Sequence, residues 1–141
     1  MTIAQVCRKY DMTADTLRYY ERVGLIPRVP RTAGGIRDYD DAACEWIGLM
    51  KCMRKAGVQI EALIEYVALY QKGDVTLEAR ENLLKEQRAL LENRIAEMRE
   101  SLDLLNTKIG YYEQGLMTQE QVRRRQQERA RKNALESEES K

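Results

Sequence analysis

From Leu77 onward an apolar residue returns at every seventh position: Leu77, Leu84, Leu91, Met98, Leu105 and Tyr112. Four residues further along each heptad lie Glu81, Arg88, Ile95, Leu102 and Ile109, so a second seam opens polar and turns apolar from Ile95. No proline interrupts the run, and its first glycine is Gly110. A period of seven keeps one stripe on one side of a helix and predicts a coiled-coil helix about 54 Å long. Alone, that helix would leave its stripe in water, so it demands a partner helix. With one long helix per chain, the partner is read as a second copy. The interface is assigned to Leu84, Leu91, Ile95, Met98, Leu102, Leu105, Ile109 and Tyr112. Leu83 and Leu90 add apolar surface to the N-terminal half, beside Glu81 and Arg88, and that half is expected to pack on a head, its own or the partner's. The heptads leave parallel and antiparallel pairing open.

The head precedes the rod. Thr13 is a helix cap, with Asp15 in the first turn, where a carboxylate favours the positive end of the helix dipole. Leu17, Tyr20 and Gly24 follow at three- and four-residue spacing, which gives one buried side and a glycine stop. The other side carries Thr16, Arg18, Tyr19 and Arg22, donors suited to phosphates and base edges. A helix-like run at Thr2–Lys9, with Ile3, Val6 and Cys7 on one face, and a turn at Tyr10–Met12 come before it. Together they spell a helix-turn-helix.

Both prolines, Pro27 and Pro30, and the Gly34–Gly35 pair fall in the next stretch, which is therefore not helical. Short β-prone pieces flank the glycines and predict a small hairpin studded with Arg28, Arg31, Arg37 and Tyr39. A basic hairpin after a recognition helix reads as a wing that grips the neighbouring backbone. Asp40–Asp41 then caps a helix running from Ala42 to about Ala56, with Trp46 as its expected core anchor and Lys51, Arg54 and Lys55 near phosphate at its end. A further helix, from about Glu61 to Lys72, stops at Gly73.

Composition closes off other chemistries. The chain has no histidine, which removes the commonest general base and the commonest zinc ligand. It also lacks a glycine-rich phosphate loop, and no catalytic residues, cofactor or metal are assigned. Cys7, Cys44 and Cys52 form no CxxC pair, and no stretch has the make-up of a signal peptide or membrane span, which reads as a reducing cytoplasm. Residues 1–58 hold ten Lys/Arg against seven Asp/Glu, whereas residues 59–112 hold seven against ten. A basic head on an acidic body suits a polyanion touched by the head alone.

The order of parts is recognisable at this point. An Ile-Ala-x-Val helix, Thr-Ala-x-Thr-Leu-Arg-Tyr-Tyr-Glu-Arg-x-Gly-Leu-Ile, a hairpin ending Gly-Ile-Arg-Asp-Tyr-Asp, and Arg-Lys-Ala-Gly-Val before the long helix resemble the MerR family of transcription regulators over about residues 2–112. The resemblance implies a winged helix-turn-helix head and a homodimer joined by an antiparallel coiled coil. It also implies binding to an over-long promoter spacer that is bent and untwisted on a signal, so that RNA polymerase engages. By that resemblance Arg18 and Tyr19 hold phosphate or base edges, and Tyr20 braces the helix. Arg31, Arg37 and Tyr39 make wing contacts, and Arg54 contacts the backbone from a second wing; Ile36 stands where the wing usually has an aromatic residue. No cysteine follows Cys52, which argues against the metal-sensing branch. Lys51-Cys52-Met53-Arg54 looks instead like the branch that responds to aldehydes and other thiol-reactive electrophiles, with basic neighbours that favour the thiolate.

The expected architecture is mainly α. Residues 1–74 form a winged helix-turn-helix DNA-binding domain, 75–113 a dimerisation helix, and 114–141 a polar tail with a marginal helix around Arg123–Lys132 and a disordered end at Glu136–Lys141. The expected function is a dimeric DNA-binding regulator that distorts a palindromic promoter element. The DNA contacts are assigned to Thr13, Thr16, Arg18, Tyr19, Tyr20, Arg31, Arg37, Tyr39 and Arg54, and the sensor to Cys52. Its partners are promoter DNA, a second copy and RNA polymerase, with no membrane. Two rivals stand beside it: a reversible ligand receptor with a pocket near Trp46, Tyr66 and Tyr70, and a coiled-coil adaptor whose head binds protein.

Overall fold

A computed structural model of the chain describes residues 1–115 and 119–139. The order is α1 (Ile3–Tyr10), α2 (Ala14–Val23), a wing loop, α3 (Asp41–Lys55), α4 (Ile60–Gln71), one 3-10 turn (Asp74–Thr76), α5 (Leu77–Glu113) and α6 (Gln119–Glu139). Residues 1–93 pack as one unit, and the described residues from Arg94 onward form a second.

Helices α1, α2 and α3 each start on a side chain that satisfies an otherwise orphaned N–H, whereas Gln59 gives α4 no such bond. Thr2 and Gln5 cap α1 reciprocally, Thr13 Oγ1 accepts the Thr16 N–H at 3.1 Å, and Asp40 Oδ1 accepts the Ala43 N–H at 2.8 Å. The α1–α2 turn passes through Asp11 in the left-handed region at φ 52°, and Gly24 closes α2 at φ 84°. Apolar positions at helical spacing then meet in one core. Val6, Leu17, Ile47 and Met50 come from three helices, Leu63 and Val67 from α4, and Leu25, Ile26 and Val29 from the loop after α2.

Trp46 is not the centre of that core. Ile47 and Met50 are fully buried, whereas Trp46 lies at the edge with its ring 5.9 Å from Tyr66 and 5.0 Å from Tyr70. One residue along a helix turns the side chain by more than a quarter of the circle, so the neighbour of the buried position is its rim. The expected packing of early α5 on a head falls within this unit. Leu83, Leu84 and Gln87 line a cavity of about 130 Å³ with Leu49, Met53, Val58, Ala62, Leu63 and Tyr66.

The wing is less regular than the hairpin expected. Its two sides share a single antiparallel bridge, Arg31 with Arg37. Thr32 and Ile36 pair at 2.7 Å, the Asp38 N–H reaches the Pro30 carbonyl at 2.8 Å, and Gly35 takes φ 80° at the tip. Pro30 has no N–H to give, so the ladder cannot extend past it. Helix α6 in turn covers more than the marginal stretch expected. It runs from Gln119 to Glu139 and includes Glu136, Ser137, Glu138 and Glu139; Ser140 and Lys141, the rest of the expected disordered end, lie outside the described residues.

Candidate nucleic-acid interface

Leu17 and Tyr20 bury one side of α2 and so fix which side faces out. The outward side carries Arg18, Tyr19 and Arg22, all exposed, with Thr13 at the start and the half-buried Thr16 beside it. The hydroxyls of Thr13 and Thr16 lie 2.8 Å apart, so both are also engaged in the cap. Arg18 Nη1 pairs with Asp15 at 3.2 Å on the surface, a contact that water screens and a phosphate can replace. The Arg22 guanidinium stacks 5.5 Å over the Tyr19 ring, which stiffens both.

The wing arginines are tied down. Glu21 Oε1 accepts from Arg31 Nη2 at 2.9 Å and from Arg37 Nε at 2.8 Å. Its Oε2 accepts from the Val29 N–H at 2.5 Å and Arg31 Nη1 at 3.1 Å. Burial pushes the Glu21 carboxyl up, but the hydrogen bonds from Arg31, Val29 and Arg37 and the charge of Arg31 outweigh it, and the carboxyl ends lowered to about 2. Glu21 was absent from the residues expected at this site. The signal was an acid in α2 with Arg28, Arg31 and Arg37 following it in the chain.

Two aromatic assignments need correction. Tyr39 is 1% exposed, with its hydroxyl buried and unpaired, so it packs in the core and offers nothing to a wing contact. Its backbone ties down the end of the wing instead: the Tyr39 N–H donates to the Met1 carbonyl at 2.8 Å, and the Met1 ammonium donates to the Tyr39 carbonyl at 2.7 Å. Tyr20 is likewise buried, and burial pushes its hydroxyl pKa up. It braces α2 from beneath and is no direct contact.

Arg54 is exposed at the end of α3, and its Nη1 donates to the Val58 carbonyl at 3.0 Å. Of the three cysteines, Cys44 is buried, Cys7 half-buried and Cys52 exposed. The basic neighbours expected to favour its thiolate point elsewhere: Lys51 Nζ donates to the Tyr10 carbonyl, and Arg54 to Val58. Among the described residues no group of three acidic or cysteine side chains is placed to hold a metal ion, and no helix is long and apolar enough to cross a membrane.

Comparison with known proteins agrees with this geometry. The family profile described as MerR HTH family regulatory protein matches residues 1–69. The HTH-type transcriptional regulator AdhR of Bacillus subtilis is 58% identical over 91 residues, which span 64% of this chain and 65% of AdhR. An HTH-type regulator of Haemophilus influenzae is 32% identical over 112 residues, 79% of this chain and 83% of its own. Among solved structures, one assigned to a MerR family regulator from Listeria monocytogenes superposes with TM-score 0.80 at 42% identity and covers 96% of this chain and 98% of its own. HiNmlR, a MerR family regulator lacking the sensor domain and bound to promoter DNA, gives TM-score 0.73 at 32% identity and covers 80% and 90%. A capped recognition helix beside an arginine-bearing wing, shared with regulators rather than enzymes, makes this chain a member of the MerR family of DNA-binding transcription regulators.

Proposed function

We propose that this protein works as a homodimer on a palindromic promoter element. Its α5 helix pairs with that of a second chain and spaces two heads to match the half-sites. The observation that carries the reading is the uncovered row Ile95, Met98, Leu102, Leu105, Ile109 and Tyr112, each between 44% and 71% exposed in the single chain. An apolar stripe of that length needs a second helix. Two heads held by a stiff rod then force the spacer to bend and untwist or to stay regular, at a cost on the order of 1–6 kcal/mol. RNA polymerase engages the distorted form.

The signal we assign is a reactive aldehyde at Cys52, the exposed thiol. The sulfur adds to the carbonyl carbon and the thiol proton ends on the oxygen, so the adduct is a hemithioacetal and nothing is oxidised. Modification biases the two promoter states only through interactions that differ between them. A reversible ligand is the second reading, favoured by the groove of about 250 Å³ that Trp46, Leu49, Tyr66, Tyr70, Ala42 and Glu45 line. Transcription from the protein's own promoter, measured with and without aldehyde for wild type and Cys52→Ser, tests the assignment. Equal responses remove Cys52. A response that survives undiminished in the variant favours the groove.

Binding itself is tested by salt. A dimer making 6–10 phosphate contacts loses about 10³–10⁵ in affinity between 50 and 200 mM salt. A footprint upstream of its own gene returns the half-site spacing and any distortion of the spacer.

A further inference from the structure

One side chain ties the recognition helix to the wing. Glu21 belongs to α2, yet its partners are all in the loop that follows: the Val29 N–H, both terminal nitrogens of Arg31, and Nε of Arg37. Its side chain is 9% exposed, against 26% and 30% for Arg31 and Arg37, so the carboxylate lies beneath the two guanidinium groups.

The two arginines are used unequally. Arg31 Nη1 donates to Glu21 and also, at 2.6 Å, to the Val29 carbonyl, while Nη2 donates to Glu21. Much of its donor fork is therefore consumed inside the protein. Arg37 gives Glu21 only Nε, and among the described residues Nη1 and Nη2 donate to no other group. The edge that those two nitrogens form is the one that matches a pair of phosphate oxygens.

We propose that Glu21 is a positioning residue for DNA binding: it grips Arg37 by Nε so that the Nη1–Nη2 edge is held ready for one backbone phosphate, while Arg31 locks Glu21 to the base of the wing. The inference rests on the wing touching DNA. Ordering a long side chain at the moment of binding costs affinity, and Glu21 orders this one beforehand.

Simple electrostatics gives the opposite sign. A carboxylate beside a polyanion repels it, so removing the charge alone should tighten the complex. The sign of the effect therefore decides between the two accounts. The experiment measures binding of the full-length protein to a labelled duplex from upstream of its own gene, across a salt series, with helix content checked by circular dichroism. Glu21→Gln should bind about ten- to a hundredfold more weakly, the gain from one pre-ordered side chain in each head of the dimer. Arg37→Ala should lower the salt slope by about 1.8, one phosphate contact in each of the two heads, whereas Arg31→Ala should leave that slope in place. The double variant should bind no worse than Arg37→Ala alone.

Should Glu21→Gln not fold, Glu21→Asp keeps the charge and withdraws the carboxylate by one methylene, and it should weaken binding as well. Unchanged or tighter binding by a folded Glu21 variant overturns the proposal, and so does an equal loss of slope for Arg31→Ala and Arg37→Ala. An unchanged slope for Arg37→Ala removes Arg37 from the DNA contacts and overturns the proposal at the reading on which it rests.

Discussion

Tyr39 holds a hydroxyl in the core with no partner among the described residues, in the segment where Arg37 reaches the surface. Removing that hydroxyl should cost nothing. Tyr39→Phe is expected to melt at the same temperature or higher, gaining up to about 1 kcal/mol, and to bind DNA as wild type does. Glu21 makes the contrasting case in acid. Its carboxyl is lowered from 4.5 in a free chain to about 2, so the folded state binds fewer protons than the unfolded state between those values. That contribution to stability is whole above pH 4.5 and is lost as pH falls towards 2. Glu21→Gln should flatten the acid limb of the stability curve in that window, as urea melts at stepped pH would read. The place of Tyr39 could not be read locally. Tyr39 stands between Asp38 and Asp40 with no apolar neighbour to mark it as core, and its surroundings come from the start of the chain, 38 residues away.

Local capping chemistry, by contrast, writes the elements plainly into the sequence. Thr13, Gly24 and Asp40 begin or end helices where their side chains, or the lack of one, require it. The wing escaped that legibility because β-prone residues signal extended chain but not how many rungs it can form, and Pro30 limits the count. Helix α6 is hard to read in full for a related reason: Val122 and Leu135 are its only large apolar residues, and periodicity has little to mark. Gly24 allows a clean test of an element boundary. A Cβ there would sit 3.8 Å from Ile64 Cγ2, an ordinary contact, so Gly24→Ala changes backbone strain and little else. At φ 84° the substitution should destabilise the head by about 1–2 kcal/mol, seen as a lower thermal midpoint without a change in helix content.

Across the whole molecule, the rod is more legible in the heptads than is its packing on the head. The heptads require a partner by themselves, while the fit of Leu83, Leu84 and Gln87 against α3 and α4 depends on contacts that no periodicity encodes. Leu102→Lys places a charge in the exposed row without touching the head. It should leave a monomer in sedimentation, abolish the promoter footprint and keep the thermal transition of the first unit.

The buried cluster from Val6 to Val67 is complete within one polypeptide, whereas the row from Ile95 to Tyr112 has no cover of its own. In the proposed dimer, mass action therefore divides the molecule. Diluting the protein should shift the transition that separates the chains and leave the melting of each head where it was, because only the first equilibrium counts molecules. A cell that makes few copies would thus hold intact probes with nothing to measure a half-site against, and the abundance of the regulator becomes part of its regulation.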